Sequence, residues 1–193
     1  MAGERAAKAG RRLTQPDELE LMLPQCEKGI GQIITSPTSP DLIEGVLVAP
    51  LTVHPDDRGY FLELQRIGRG LAGRFPAATT QVSAALNYPG AIKAFHYHLH
   101  QTDCWNPVRG LLQVALADLR TGSSTFGRRN TLYIGPLRPW QVLVPPGVAS
   151  TRPTVARAPS RACASPGICA IVAPAATMGS RRSDMSVVPA WFP

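Results

Sequence analysis

Short apolar segments, separated by glycine, proline, asparagine and aspartate, follow one another along residues 41–149. Examples are "GVLVAPLTV", "GYFLELQRI", "LLQVALADLR" and "WQVLVPPG". Many short strand-like segments without a long helical period between them are typical of an all-β sandwich or barrel. The turn sequences "DDRG" (56–59), "NYPG" (87–90) and "PPG" (145–147) fit this pattern. The pattern therefore predicts an all-β domain over residues 41–149.

The segments on either side of this domain have a different composition. Residues 1–40 are predicted to be peripheral, with a short helix over about Pro16 to Leu23 and a linker in "TSPTSP" (35–40). Residues 151–193 are rich in Ala, Arg, Pro and Ser and contain no Leu, Tyr, His, Glu or Lys. Because only "GICAIVA" (167–173) resembles a strand there, we expect a largely disordered tail.

Composition and charge narrow the classes of protein that the chain can belong to. It has 193 residues, 44% of them hydrophobic, which suits one domain with a sizeable core. No apolar run approaches the roughly 20 residues that span a bilayer, and the N-terminus lacks the apolar region of a secretory signal. We therefore predict a cytoplasmic protein that does not associate with membranes.

The net charge of +7 rests on scattered arginines, so a nucleic-acid partner is not expected. The four cysteines lack the spacing of a zinc finger or a disulfide framework.

Three of the four histidines stand at alternate positions of "GAIKAFHYHLHQTDCW" (90–105). They are His96, His98 and His100. On a strand every second side chain points to the same face, so these imidazoles can share one cavity. The alternation leaves three uses open, namely metal binding, proton transfer and a polar strand face.

The spacing around these histidines is similar to the first metal-binding motif of cupins, with an aspartate where glutamate is usual. The members of the motif are Gly90, His96, His98, Asp103 and Gly110. The second cupin motif needs a histidine shortly after "PxG", where this chain has Ser150. Two histidines and one carboxylate suit Fe, Mn, Ni or Zn as a facial triad. A metal-dependent cupin enzyme is therefore one alternative for this site.

Five sequence blocks together carry a more specific resemblance. They are "IEGVLV" (43–48), "DDRGYFLEL" (56–64), "TQVSAALNYPGAIKAFHYH" (80–98), "VRGLLQVALADLRTGSSTFG" (108–127) and "WQVLVPPGVA" (140–149). In this order and spacing they resemble the dTDP-4-dehydrorhamnose 3,5-epimerase family, a metal-independent branch of the cupins. The resemblance implies a cupin-like double-stranded β-helix, or jelly-roll sandwich, that acts as a homodimer without a cofactor. It also implies epimerisation of a nucleotide-linked 4-keto-6-deoxy sugar in deoxysugar and cell-surface polysaccharide biosynthesis.

The resemblance also implies roles for individual residues. His96 stands at the position of the catalytic base, which removes a proton next to the ketone. A neutral imidazole suits this task because its pKa lies near neutral pH. Lys93 stands at the position of a phosphate-binding arginine, and Glu63 falls in a block that lines the nucleotide site. The implied substrate contacts are Arg58, Glu63, Gln81 and Lys93, and we predict His98 and Asp103 as further substrate-binding residues.

Two of these positions depart from the family's pattern. His98 stands where a glutamine is common, and Asp103 stands where a lysine usually stabilises the enolate oxygen. A carboxylate beside a developing oxyanion opposes the reaction unless it is protonated or displaced. The pair therefore indicates a divergent subgroup, whose sugar or reaction differs from the usual one.

After Ala149 the resemblance stops in the middle of a motif. The family continues with a histidine, a strand that carries a tyrosine general acid, and an acidic residue that supports the catalytic histidine. Residues 151–193 contain no histidine and no tyrosine, and their one acidic residue is Asp184. They have the composition of high-GC DNA translated out of frame. We hypothesise that a frameshift replaced the C-terminal strands, which makes a catalytically inactive, sugar-nucleotide-binding remnant a second alternative. Translating the other two frames after codon 149 tests the hypothesis.

Three further positions have structural interpretations. Asp118 and Arg120 in "ADLR" are expected to form an ion pair at the end of a strand. Trp105 is expected in the core. Tyr133 is also more typical of a core position, although it is the nearby phenol that can replace the missing acid.

Overall fold

The structure, a computed structural model, describes residues 12–13, 19–26, 29–88, 92–152, 154–155, 167–174 and 185–187. Within these ranges one 3-10 turn, Gly70–Ala72, is the helical part of the chain. In chain order the strands are β1 (Arg12–Leu13), β2 (Leu21–Met22), β3 (Gln32–Ile33), β4 (Leu47–Pro50), β5 (Val53–Asp56), β6 (Gly59–Leu62), β7 (Thr80–Asn87), β8 (Lys93–His98), β9 (Asp103–Arg109), β10 (Leu112–Asp118), β11 (Arg129–Ile134), β12 (Trp140–Val144), β13 (Val148–Arg152), β14 (Thr154–Val155), β15 (Gly167–Pro174) and β16 (Met185–Val187).

The described strands form two large sheets and two small ones. The larger sheet has the strand order β16-β8-β13-β10-β11-β3, and β14 pairs with one end of β10. The second large sheet has the order β4-β12-β9-β15-β7. The small sheets are the pairs β1–β2 and β5–β6, and "DDRG" makes the tight turn between β5 and β6. Most of the chain's regular structure is therefore β, as the pattern of short apolar segments predicts.

One apolar core lies between the two large sheets. The larger sheet contributes alternate residues of β10, β11 and β13, and the second sheet contributes residues of β9 and β12. This alternation is the period of two that a half-buried strand requires. Its fully buried members include Trp105, Leu112, Val114, Leu132, Ile134, Val142 and Val148. The prediction that Trp105 belongs to the core is confirmed.

A second apolar cluster covers the opposite face of the larger sheet. There Phe95 and Tyr97 of β8 pack with small residues of β10 and with Leu21 from the N-terminal segment. Leu21 is completely buried, and Ile34 joins the core between the sheets, so residues 1–40 are not wholly peripheral.

The prediction of a helix over about Pro16 to Leu23 is wrong for the part of this segment that the structure describes. Leu21–Met22 is a strand that pairs with Arg12–Leu13, and the Met22 N–H donates to the carbonyl of Leu119. Residues 14–18 lie outside the described part of the chain. Burial of Leu21 against the sheet outweighs helix propensity, which is a weak preference that tertiary contacts override.

The tail contributes more structure than its composition suggests. The "GICAIVA" segment forms β15, as its apolar pattern indicates, and β15 pairs with β7 on one side and β9 on the other. Without it the backbone donors and acceptors on those edges would lack strand partners, which is the physical reason for a strand here. The expectation of a disordered tail therefore does not extend to 167–174. Residues 156–166, 175–184 and 188–193 lie outside the described chain.

Candidate functional site

The histidine strand faces the interior of the sandwich with its even-numbered residues. His96 of β8 lies directly opposite Ser150 of β13, and Ser150 in turn lies opposite Leu116 of β10. Residues directly opposite one another in paired strands share a face. Because Leu116 belongs to the core between the sheets, His96 and His98 point to that side too. His96 is 6% exposed.

The facing sheet supplies two further side chains at this point. Asp103 and Trp105 stand two residues apart on β9, and Trp105 is part of the core between the sheets. The Trp105 ring centroid lies 6.3 Å from that of His96. His96 and His98 thus share one face of β8 in the larger sheet because they alternate in sequence. Asp103 and Trp105 lie close to them because β9 of the second sheet packs against that face.

His96, His98 and Asp103 form a compact polar cluster, which we call the His–Asp cluster. The rings of His96 and His98 meet edge to face, with centroids 5.9 Å apart. The Nε2 atom of His98 lies 3.4 Å from the Oδ2 atom of Asp103. Each residue places one possible ligand atom within 4.8 Å of the other two, so in the described chain these three residues can hold a cation. The geometry is compatible with both proton transfer and metal binding.

The carboxyl group of Asp103 is buried but well supplied with hydrogen bonds. The Gln101 side-chain amide donates to its Oδ1 atom at 2.7 Å, and the indole N–H of Trp105 donates to its Oδ2 atom at 3.4 Å. Burial alone raises the pKa of Asp103. The hydrogen bond and positive charge of His98, with the bonds from Gln101 and Trp105, outweigh burial and hold the pKa below its ordinary value. Asp103 is therefore an anion at neutral pH.

The other four residues implied as substrate contacts lie on the surface. Arg58 is at the tip of the β5–β6 hairpin, where its exposed side chain pairs with Asp56 at 2.8 Å. Glu63 follows that hairpin and pairs with Arg66.

Gln81 and Lys93 lie on strands that border the sandwich interior. Gln81 of β7 donates to the Ser83 hydroxyl at 2.9 Å, and Ser83 and Trp105 both lie opposite Ile171 of β15. Gln81 therefore shares the interior face of its sheet with Trp105. Lys93 begins β8 and donates to the carbonyl of Leu86 at 2.9 Å.

Two other candidates have structural surroundings. Tyr133 accepts a hydrogen bond from Gln113 at 3.3 Å and lies on β11, three strands from β8 in the sheet order. At about 4.8 Å per strand this separates it from the histidine strand by roughly 14 Å. Cys104 points away from the His–Asp cluster, and burial raises the pKa of its thiol to about 12, so it is not a nucleophile at neutral pH.

Two residues lie next to members of the His–Asp cluster although the sequence does not predict them as its neighbours. Gln101 lies in the short connection between β8 and β9, and no residue pattern marks its amide as a partner of Asp103. Ser150 is visible only as the residue that replaces a cupin histidine. Ser150 lies opposite His96 on the neighbouring strand. Where the second cupin motif would place a histidine beside His96, this chain therefore has a small hydroxyl side chain.

The sequence of the chain matches the profile of the dTDP-4-dehydrorhamnose 3,5-epimerase family over residues 41–157. The chain belongs to this family. The chain is also similar to the spore coat polysaccharide biosynthesis protein SpsL of Bacillus subtilis. It is 45% identical over 108 residues, which make up 56% of this chain and 69% of SpsL. The resemblance carried by the five sequence blocks is thus confirmed.

Solved structures of dTDP-sugar epimerases and isomerases share the fold of this family member. The dTDP sugar isomerase from Desulfovibrio desulfuricans superposes with a TM-score of 0.63 at 21% identity, covering 76% of this chain and 85% of that one. The 3'-monoepimerase ChmJ of Streptomyces bikiniensis, solved with dTDP-quinovose, gives 0.57 at 24% identity, covering 76% and 70%. The cupin-like sandwich is therefore confirmed. The described part of the chain contains no helix that is long and apolar enough to cross a membrane.

Proposed function

We propose that this family member epimerises a nucleotide-linked 4-keto-6-deoxy sugar, with His96 as the base that removes a proton next to the ketone. The observation that carries the proposal is the position of His96, which is buried on the interior face of β8 and lies within the family-matched segment. Polysaccharide biosynthesis is the setting named for the relative SpsL, and we propose the same setting here.

The chemistry needs a base and an acidic C–H bond. A ketone at C4 acidifies the hydrogens on its neighbouring carbons, since the electron pair left behind delocalises onto the oxygen as an enolate. An imidazole with its pKa near neutrality removes such a proton without needing an extreme pH. Return of a proton to the opposite face of the carbon inverts its configuration.

The four predicted substrate contacts outside the His–Asp cluster have side chains that suit a nucleoside diphosphate. Arg58 and Lys93 are exposed cations, and Gln81 lies on the interior face of its sheet as an amide donor. Such groups suit phosphate oxygens and a base edge. Glu63 lies next to the β5–β6 hairpin, and we propose that these residues bind the nucleotide part of the substrate.

We also propose a homodimer in the cytoplasm. Tyr60 and Phe61 of the hairpin are 46% and 68% exposed, which is unusual for neighbouring aromatic side chains and suits a protein interface. Light scattering after size exclusion should give twice the chain mass, and Phe61→Ser should shift the protein towards monomer. A wild-type monomer at micromolar concentration contradicts the dimer.

Solvent exchange tests the catalytic proposal. The chain is incubated with dTDP-4-keto-6-deoxyglucose in D₂O, and deuterium at C3 and C5 is followed by NMR. We expect incorporation in the wild type, a loss of about 10²–10⁴-fold in His96→Gln, and no change in His100→Leu, since His100 is an exposed residue beyond β8. Binding of dTDP without exchange identifies the non-catalytic remnant instead. Stoichiometric Fe, Mn or Zn in the purified protein favours the metal-dependent alternative.

A further inference from the structure

His96, His98 and Asp103 have the donor types and the burial of a site for a divalent transition-metal ion. Each offers one imidazole nitrogen or carboxylate oxygen, and these three atoms lie within 4.8 Å of one another. The side chains of His98 and Asp103 are 16% and 6% exposed, and His96 is buried too. Two imidazoles and one carboxylate suit ions such as Zn²⁺ and Co²⁺ better than Mg²⁺ or Ca²⁺, which prefer oxygen ligands.

The distances in the cluster fit three ligands that share one ion. Zinc binds imidazole nitrogen and carboxylate oxygen at about 2.1 Å, so two neighbouring ligands of one ion stand about 3.0–3.4 Å apart. The Nε2 atom of His98 lies 3.4 Å from the Oδ2 atom of Asp103, at the upper end of this range. Because no separation among the three ligand atoms exceeds 4.8 Å, a shift of about 1.4 Å at one side-chain tip brings all three into range.

The two sheets and a neighbouring amide hold these ligands in place. The histidines alternate on β8, and Asp103 begins β9 of the facing sheet, so all three side chains stand on strands. The Gln101 amide donates to Oδ1 of Asp103 at 2.7 Å, and the Trp105 indole N–H reaches Oδ2 at 3.4 Å. Outer partners of this kind orient a metal ligand and strengthen its binding to the ion.

Three protein ligands leave part of the coordination sphere of an ion open. Within the described part of the chain the group consists of the two histidines and the aspartate. Ser150, opposite His96 on β13, has a short hydroxyl where the second cupin motif has a further histidine. Structural zinc sites have four protein ligands, whereas three leave positions for water. We therefore expect an ion at this site to exchange with the solution.

Metal binding by His96 excludes its proposed role as a base. A neutral imidazole has one lone pair, on the ring nitrogen that carries no hydrogen. The same lone pair accepts a proton from carbon or is donated to a metal ion. His96 is therefore either a base or a ligand at a given moment, and the two states of the site compete.

We propose that the His–Asp cluster binds one divalent transition-metal ion reversibly, and that its occupancy prevents His96 from accepting a proton. The binding site rests on the geometry of the three residues, whereas the inhibition also rests on the proposed function. The metal-free protein is the catalytic form, and the metal-loaded protein is the inactive form. In a metal-dependent cupin enzyme the ion has the opposite effect and raises the activity.

Cobalt binding tests the site without an enzymatic assay. Wild-type protein treated with EDTA and dialysed is titrated with Co²⁺, and the visible absorption of the bound ion is followed. We expect one equivalent to bind and Zn²⁺ to displace it, since zinc binds nitrogen and oxygen ligands more tightly than cobalt. His98→Gln should weaken cobalt binding by about 10²-fold or more, because one of three ligands is lost. His100→Leu is the matched control and should bind as the wild type does.

A second variant keeps the test decisive if His98→Gln fails to fold, which a thermal melt would detect. Gln101→Leu removes the amide that orients Asp103 and leaves all three ligands in place. We expect its cobalt affinity to fall by about 10–100-fold, as for other outer partners of metal ligands. No cobalt absorption in the wild type at millimolar Co²⁺ overturns the site. Equal affinity in the wild type and both folded variants also overturns it, because the ion then binds elsewhere.

The deuterium-exchange assay tests the inhibition. One equivalent of Zn²⁺ should lower the exchange rate of the metal-free wild type by about tenfold or more, and excess EDTA should restore it. His98→Gln, compared with its own metal-free rate, should need about 10²-fold more Zn²⁺ for the same fractional loss. Bound Zn²⁺ that leaves the rate unchanged or raises it overturns the inhibition. Absence of exchange in the metal-free wild type contradicts the proposed function, and the cobalt titration decides the site independently of that result.

Discussion

Arg120 holds Asp118 through two parallel N–H···O contacts, from Nε to Oδ1 and from Nη2 to Oδ2, each 2.8 Å long. Asp118 is completely buried at the end of β10, and it also accepts hydrogen bonds from the hydroxyls of Ser123 and Thr125. Arg120 reaches further, to the carbonyl of Glu44. The predicted strand-end ion pair is thus confirmed, and it ties the loop after β10 to the segment before β4.

Removing this carboxylate should destabilise the fold. In Asp118→Asn we expect the free energy of unfolding to fall by about 3 kcal/mol, because the guanidinium loses its partner in a nearly buried place. Urea denaturation measures the change. The matched control is Asp56→Asn, whose pair with Arg58 is exposed and should make no measurable contribution. Equal losses in the two variants contradict the prediction.

The same carboxylate should make the protein sensitive to acid. Burial raises the pKa of Asp118, but hydrogen bonds from Arg120, Ser123 and Thr125 outweigh it and hold the pKa below its ordinary value. A group with a lowered folded pKa stabilises the fold fully above its unfolded pKa, about 3.9, and this stabilisation is lost as pH falls through the folded pKa. Melting temperatures between pH 6 and pH 2.5 should therefore fall less steeply in Asp118→Asn than in the wild type. Parallel curves argue against this source of acid sensitivity.

Gly147 should not tolerate a side chain. Its φ of +77° is unfavourable for other residues, and an added Cβ would lie 2.5 Å from Cγ of Arg120. Arg120 cannot move aside without releasing Asp118. We expect Gly147→Ala to lower the free energy of unfolding by about 2–4 kcal/mol, from backbone strain and overpacking together. Gly122→Ala is the control, because a Cβ there meets nothing within 4 Å. A Gly147→Ala protein that melts with the wild type refutes the prediction.

Two buried threonines should respond in opposite directions to removal of their hydroxyls. The Thr131 hydroxyl has no hydrogen-bond partner among the described residues, whereas the Thr151 hydroxyl accepts the Ala115 N–H at 3.0 Å. We expect Thr131→Val to raise the free energy of unfolding by about 1 kcal/mol and Thr151→Val to lower it by about 1–3 kcal/mol. Chemical denaturation of both variants provides the comparison, and a shared sign would show that hydrogen bonding is not the deciding factor.

Tyr133 should be dispensable for proton transfer. Because it lies three strands from β8 and bonds to Gln113, Tyr133→Phe should exchange deuterium at the wild-type rate. The NMR exchange assay described above measures this. A loss of about 10²-fold or more would instead identify Tyr133 as the general acid.

The parts of the site that lie on one strand are predictable from the sequence, and those that depend on two sheets are not. The alternation of His96 and His98 predicts that they share a face, and the paired strands place both towards the interior. The contact between His98 and Asp103 depends on how β9 lies against β8 across the sandwich, which no local pattern encodes. The same reason explains Leu21, whose neighbours favour a helix locally while a distant sheet buries it in a strand.

The substrate-binding role of the exposed residues depends on a ligand as well as on the fold. Arg58, Glu63, Gln81 and Lys93 are identified by the family's motifs, and in the described chain they bond to near neighbours in sequence or to backbone. Their role in substrate binding stays a prediction, as do the domain limits at residues 40 and 149 and the frameshift hypothesis. Exposed side chains of this kind adopt a binding arrangement only when a ligand compensates the loss of their conformational freedom.

The position of β15 between β7 and β9 has a consequence for how the protein is made. Both neighbours are synthesised before β15, so on the ribosome the edges that pair with β15 keep their backbone groups exposed until β15 emerges. At roughly 5–20 residues per second the wait after β9 lasts several seconds, far longer than the time in which hairpins form. During that interval the nascent sheet can recruit a strand from a neighbouring chain. We therefore expect the cellular yield of this protein to depend on protection of the growing chain as well as on the stability of the finished one.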